Sequence, residues 1–348
     1  MTPPDDLRVI AAAEFDRAMR RNLKGLDYFR TSGQMLGAST KDVLIDQGTM
    51  RLYHYRALVD DVYRVPVLIV MSTTNRGYIF DMIPGHSLVD HLLHAGFDVF
   101  MLDWDAPTAH EKHLSLAHYV TDFLPHAVAR IAEDTGEPDV SLIGYYLGGV
   151  LALLWAALAP APPANLVTIA TPIDFSRLDM FQNWADPGFF DVDRLVDTLG
   201  NCPADYLYAA VDMIRPATRS PGGVDAPAPF RPHRMVDRWA TDVLPLAGEY
   251  FRETIRQLVW ENRLMTGAMT VADRPVDLSR ITAPLLQVTA TQDHIVPAAA
   301  SAPLVELVGS TDTDAIEVTG GHASLLTGST AANDLWPTLA RWLGKRST

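Results

Sequence analysis

Six short runs of consecutive apolar, β-prone residues punctuate the chain: "PVLIVM" (66–71), "FDVFML" (97–102), "VSLIG" (140–144), "NLVTIA" (165–170), "PLLQVTA" (284–290) and "AIEV" (315–318). Between them, residues 87–95, 115–135, 147–159, 298–308 and 331–344 repeat their apolar positions at helical spacing. Strand–helix–strand alternation builds a parallel sheet, because each return to a parallel neighbour needs a crossover that a helix supplies. The apolarity of the runs is largely continuous and does not alternate, so both faces of the sheet must be covered. This pattern predicts a three-layer α/β domain with a mostly parallel central sheet.

The alternation stops near Pro172 and resumes near Ala283. Within the gap, "RPATRSPGGVDAPAPFRPHR" (215–234) denies regular structure through its prolines and glycines, and "AGEYFRETIRQLVWENRL" (247–264) reads as a helix. The expected organisation is a core built from residues 61–171 and 283–348, a helical cap inserted at 172–282, and an N-terminal helix with leading strands over 1–60. The opening residues lack the basic-then-apolar layout of a secretory signal, and the longest apolar stretch, "GGVLALLWAALAPAPP", falls short of the ~20 residues a bilayer span needs. A net charge of −14 argues against a nucleic-acid partner, since phosphate binding relies on clustered Lys and Arg. One cysteine, Cys202, cannot form a disulfide within the chain, which fits a reducing cytoplasm, and it reads as a small buried hydrophobe.

Gly144-Tyr145-Tyr146-Leu147-Gly148-Gly149 ends an apolar strand and opens an apolar helix, the setting in which G-x-S-x-G forms a nucleophile elbow. Glycines two positions to either side let backbone pass close to a strained central residue. An oxyanion there would be met by the Leu147 N–H and by a donor from the loop after the first central strand, "MSTTNRG" (71–77), where Thr73 and Thr74 are the candidates. The central residue is Tyr146, with no serine or cysteine in its place. Tyr145 is expected to point the other way and to pack.

Two further residues follow the elbow in order. Asp293 in "TATQDHIVP" and His322 in "VTGGHASLL" each sit just beyond a strand, giving the sequence elbow, acid, histidine found in α/β-hydrolases. His294 is read as a neighbour of the acid. Histidines 86, 91, 94, 110, 113 and 118 come without a carboxylate-supported ligand pattern, so no metal site is expected. Leu151, Leu154, Trp155 and Leu158 share a helix face and read as core. No dinucleotide or P-loop motif appears, so no nucleotide cofactor is expected.

With those residues in place, the chain resembles the polyhydroxyalkanoate synthases, most nearly the short-chain-length type that works with a separate subunit. The likeness runs through residues 66–104, "NLVTIATPIDF" (165–175), "LVDTLGNCPADYLY" (195–208), "VDLSRITAPLLQVTATQDHIVP" (276–297) and "GGHASLL" (320–326). It implies an α/β-hydrolase core under a cap that polymerises (R)-3-hydroxyacyl-CoA and releases CoA. It also implies a homodimer and a partner subunit. In that family a cysteine at the elbow carries the growing chain, the histidine matching His322 is its base, and the acid matching Asp293 assists.

Tyrosine is a poor substitute for that cysteine. A phenol of pKa about 10 needs roughly 4 kcal/mol of pKa depression to ionise at neutral pH, and its oxygen lies roughly 4 Å farther from Cα than a thiol sulfur would. Three readings stay open at this point. In the first, an acyltransferase has lost or altered polymerisation, and Tyr146 serves as proton donor or binding group. In the second, the chain is a non-catalytic partner of a synthase or polyester granule, with Trp239 and Trp260 as interface anchors. In the third, Tyr146 is a recent or engineered single-base replacement of cysteine.

Overall fold

The computed structural model describes residues 39–83, 85–212 and 231–348. The helix expected near the N-terminus and most of the segment 215–234 lie outside the described residues.

Eight strands form one sheet: β1 (Lys41–Gln47), β2 (Met50–Tyr55), β3 (Val67–Val70), β4 (Val99–Trp104), β5 (Ser141–Tyr145), β6 (Asn165–Ile169), β7 (Leu285–Ala290) and β8 (Thr313–Val318). Their spatial order is β1-β2-β4-β3-β5-β6-β7-β8. β2 is antiparallel to both of its neighbours, and every other pairing is parallel. The central strands β3, β5 and β6 are buried along their whole length, as their unbroken apolarity requires. Edge strand β1 is mostly exposed and carries charged or polar residues at both ends, Lys41-Asp42 and Asp46-Gln47.

Helices α1 (Leu88–His94), α2 (Leu124–Thr135), α3 (Leu147–Leu158) and, at the C-terminal end, α9 (Trp336–Gly344) cover the sheet. α1 packs against α9, and α3 against the turn that leads into α2. Helix α3 is buried at every residue except Trp155, which is half-buried and packs against the core, so the face of Leu151, Leu154, Trp155 and Leu158 is core. Residues 115–135 and 331–344, each expected as one helix, enter instead through π-helical turns, His118–Phe123 and Ala331–Leu335. Both turns precede a proline at the start of a helix, Pro125 or Pro337, where the missing N–H interrupts the ordinary ladder. Pro303 likewise splits the helix expected at 298–308 into Ala298–Ser301 and Leu304–Leu307.

The cap lies between β6 and β7 and contains α4 (Asp179–Trp184), α5 (Val192–Leu199), α6 (Ala204–Asp212), α7 (Arg231–Thr241) and α8 (Gly248–Glu253), which continues as a π-helical turn, Thr254–Trp260. Aromatic packing holds it together: the Trp184 ring lies 5.4 Å from Phe190 and 5.2 Å from Tyr206. Arg252 of α8 reaches Asp193 and Asp197 of α5. Trp239 is buried and so is not available as an outer anchor, whereas Trp260 keeps part of its surface exposed beside Phe189. Their indole N–H groups donate to the carbonyls of Arg76 and Ala185.

Candidate active site

β5 runs straight into α3 through Tyr146, whose φ of 51° and ψ of −119° put an L-residue in a sparsely populated region. Such a conformation costs about 1–3 kcal/mol and persists only where its surroundings enforce it. Here they do. A Cβ on Gly144 would collide with the Gly149 backbone, and one on Gly148 would collide with the Val70 carbonyl and the Met71 backbone. The glycines thus let the first turn of α3 lie directly on the ends of β3 and β5, and the strained elbow is retained although its central residue is tyrosine.

Asp293 follows β7 and His322 follows β8, so parallel pairing of those strands delivers both to the same end of the sheet. His322 Nδ1 lies 2.7 Å from Asp293 Oδ2. Asp293 Oδ1 accepts the N–H groups of Ile295 and Val296, each at 2.8 Å, which fixes the carboxylate. Its side chain is 0% exposed and that of His322 8%. A carboxylate can only accept, so Nδ1 carries the proton and Nε2 presents a lone pair. The carboxylate–imidazole half of a hydrolase triad is therefore assembled.

The third member is placed differently. The Tyr146 ring stands edge-on to the imidazole, centroids 5.3 Å apart and planes at 89°, and no hydrogen bond joins its phenol to His322 among the described residues. Burial, and then the neighbouring Tyr250 and Asp293, push the Tyr146 phenol well above its ordinary range. A nucleophile needs the opposite shift, so Tyr146 is held as a neutral phenol.

Tyr146, Leu147, Thr74 and His322 border a cavity of about 110 Å³ beneath the cap, walled by aromatic and aliphatic side chains such as Phe181, Trp184 and Phe251. Its volume is close to the roughly 150 Å³ of an engineered apolar cavity that admits benzene. The bordering polar side chains are mostly spent on the protein itself: Thr74 Oγ1 donates to Asn75 Oδ1 (3.1 Å), Asn75 Nδ2 to the Trp239 carbonyl (3.4 Å) and Thr254 Oγ1 to the Tyr250 carbonyl (2.8 Å). Thr73 sits behind this wall, with its hydroxyl on Tyr250 Oη at 3.1 Å. Among the described residues, the Leu147 and Thr73 N–H groups have no acceptor.

Tyr145 departs from expectation. Its ring does not turn away; it lines the same cavity, 5.1 Å from the imidazole of His322, and its buried hydroxyl has no partner among the described residues. It is the last residue of β5 paired with β6, and beyond that point the His322 loop and Trp239 of the cap fold over the end of the sheet. Cys202 is buried where its backbone pairs with Leu246, and burial pushes its thiol up to about 12. Among the described residues, no group of three or more His, Cys, Asp or Glu side chains is placed to hold a metal. No described helix is long and apolar enough to cross a membrane.

Sheet order, elbow and carboxylate–imidazole pair define an α/β-hydrolase, and the family described as "alpha/beta hydrolase fold" matches residues 77–329. A thermophilic esterase from Thermogutta terrifontis shares that fold at 15% identity, with a TM-score of 0.55 over 89% of this chain and 100% of the esterase. More narrowly, the family described as "Poly-beta-hydroxybutyrate polymerase (PhaC) N-terminus" matches residues 17–92. The poly(3-hydroxyalkanoate) polymerase subunit PhaC of Allochromatium vinosum is 30% identical over 342 residues, 92% of this chain and 96% of that protein. The subunit of the same description from Haloferax mediterranei is 31% identical over 320 residues, 90% of this chain but 65% of the relative's length. The chain belongs to the PhaC polymerase family.

Proposed function

We propose that the protein is an acyltransferase acting on (R)-3-hydroxyacyl-CoA or a related ester or thioester, in which Asp293 and His322 act on the acceptor hydroxyl directly. The reading rests on one observation: His322 and Asp293 are paired at 2.7 Å beside an apolar cavity, while the Tyr146 phenol is neither bonded to the imidazole nor eased toward ionisation. His322 Nε2 takes the proton of water or an alcohol as its oxygen attacks the acyl carbon. The Leu147 N–H and a donor from Thr73 or Thr74 receive the oxyanion, the carbon–sulfur bond breaks, and the proton passes to the CoA sulfur. General-base catalysis of this kind contributes about 10²–10⁴-fold. Tyr146 stays protonated and offers its O–H to the acyl group, so polymerisation through a covalent acyl-enzyme is lost or altered. No cofactor is needed beyond the CoA thioester, and the acyl-CoA pool points to the cytoplasm. Relatives described as polymerase subunits support a second subunit or a homodimer as partner.

A second reading, a non-catalytic partner of a synthase or of a polyester granule, is favoured by Phe189, which is 95% exposed between α4 and α5. Incubating purified protein with (R)-3-hydroxybutyryl-CoA and following CoA release separates the two. Turnover abolished by His322→Ala supports the enzyme; absence of turnover with any thioester or ester, together with co-purification with a synthase, supports the partner.

A further inference from the structure

The loop after β3, from which the second oxyanion donor is drawn, is held from two sides. The core fixes its ends: Trp104 Nε1–H donates to the Met71 carbonyl at 2.8 Å, and the Gly77 N–H donates to Asp103 Oδ1 at 3.0 Å. The residues between those ends are tied to the cap. The Leu244 N–H donates to the Thr74 carbonyl at 2.8 Å, Asn75 forms an isolated antiparallel bridge with Val243, and Trp239 Nε1–H donates to the Arg76 carbonyl at 2.8 Å. Asn75 Nδ2 returns a bond to the Trp239 carbonyl, and Tyr78 Oη donates to Asp242 Oδ2 at 3.3 Å. The Thr74 and Arg76 carbonyls therefore accept from Leu244 and Trp239, with Asn75 bridged to Val243 between them, so the cap holds the segment that immediately follows the Thr73 and Thr74 N–H groups.

Trp239 is the pivot of this seam. Its indole is 5% exposed and borders the cavity, with its ring 6.5 Å from that of Tyr145. One side chain thus touches the substrate space with its apolar face and the oxyanion loop with its N–H. We infer that Trp239 is a positioning residue: it aligns the N–H groups of the 73–76 loop toward the acyl oxygen, so the oxyanion site is complete only when the cap segment 239–244 is seated. The inference rests on the acyl-transfer reading for its catalytic consequence, although the mechanical link does not depend on it. Loss of one oxyanion donor costs about 10²–10³-fold in rate, and misplacement by about 1 Å costs about a hundredfold.

Trp239→Phe deletes the N–H and keeps an aromatic face in the cavity. With (R)-3-hydroxybutyryl-CoA the expected result is a fall in kcat of roughly 10–100-fold with KM changed less than about threefold, because donors aligned on the oxyanion act in the transition state. Amide hydrogen exchange in residues 73–77 should quicken at least about tenfold while β5 and α3 keep their protection. Tyr78→Phe, which removes only the tie to Asp242, should move exchange in the same direction by less, and it decides the matter if Trp239→Phe loosens the whole protein. Unchanged exchange at 73–77 in both variants overturns the inference, as does a rise in KM with kcat unchanged. If the wild type releases no CoA, the acyl-transfer reading fails and exchange alone decides the coupling of loop to cap.

Discussion

Asp293→Asn separates the carboxylate's role in orienting the imidazole from its role in holding the fold. Asparagine keeps an oxygen where Asp293 Oδ1 accepts the Ile295 and Val296 N–H groups at 2.8 Å. It places an NH₂ where Oδ2 now lies 2.7 Å from His322 Nδ1. Two donors cannot face each other at that distance, so the imidazole moves its proton to Nε2 and can no longer accept one from the acceptor hydroxyl. A charge-assisted hydrogen bond worth about 1.5–3 kcal/mol is exchanged for a neutral one, a net destabilisation of about 1–2 kcal/mol. The catalytic cost is far larger: the equivalent swap in a serine-protease triad lowers kcat by about 10⁴, or roughly 5.5 kcal/mol of barrier. CoA release gives the rate, urea unfolding the stability, and ¹⁵N NMR of His322 the tautomer. Turnover within tenfold of wild type, or a proton still on Nδ1, would refute the assignment of Asp293 as orienter of the base.

Other perturbations follow from the same geometry. Gly148→Ala drives a methyl into the Val70 carbonyl and the Met71 backbone and should destabilise by about 1–3 kcal/mol, readable as a lower urea midpoint. Tyr146→Cys removes a buried ring but keeps the elbow and the imidazole, so a thioester substrate should acylate the new thiol in a His322-dependent manner. A thiol that stays inert would count against the view that only the nucleophile is missing. His54 lies 2.7 Å from Asp98 and 2.9 Å from Asp134, stacked on Phe100. Burial pushes its imidazolium down, but the hydrogen bond to Asp98 and the two negative charges outweigh it and hold the pKa above 6.5. A raised folded value means that this stabilisation is whole below about pH 6.5 and is lost as pH rises through the folded pKa. His54→Phe should therefore flatten the change in urea midpoint between pH 6 and 8.5.

Much of this site is legible in the chain before folding. The six apolar runs all become parallel strands, and those apolar on both faces take the sheet interior, whereas 315–318 falls on the exposed edge strand β8. Asp293 and His322 could be picked out because each follows such a strand at once, and parallel strands end together. The seam between loop 74–76 and cap residues 239–244 left no trace in the sequence: its partners stand more than 160 positions apart and meet largely through backbone groups, which every residue carries. The direction of Tyr145 escapes the sequence for a related reason. Alternation along a strand places Tyr145 opposite its neighbour, but the pleat ends at Tyr146, where φ is 51°, and the cavity wraps both rings. Trp239 and Trp260 are candidates for interface anchors in the sequence, and only the fold shows the Arg76 and Ala185 carbonyls that their indoles reach.

The most direct test is a quenched-reaction mass measurement on wild type, Tyr146→Phe and His322→Ala after mixing with (R)-3-hydroxybutyryl-CoA, with released CoA counted in parallel. Direct attack by an acceptor activated at His322 predicts CoA release in the wild type and no acyl mass on the peptide carrying Tyr146. It further predicts a loss of no more than about tenfold in Tyr146→Phe, the worth of one hydrogen bond, and release abolished in His322→Ala. An acyl group trapped on Tyr146, with Tyr146→Phe as dead as His322→Ala, would contradict it.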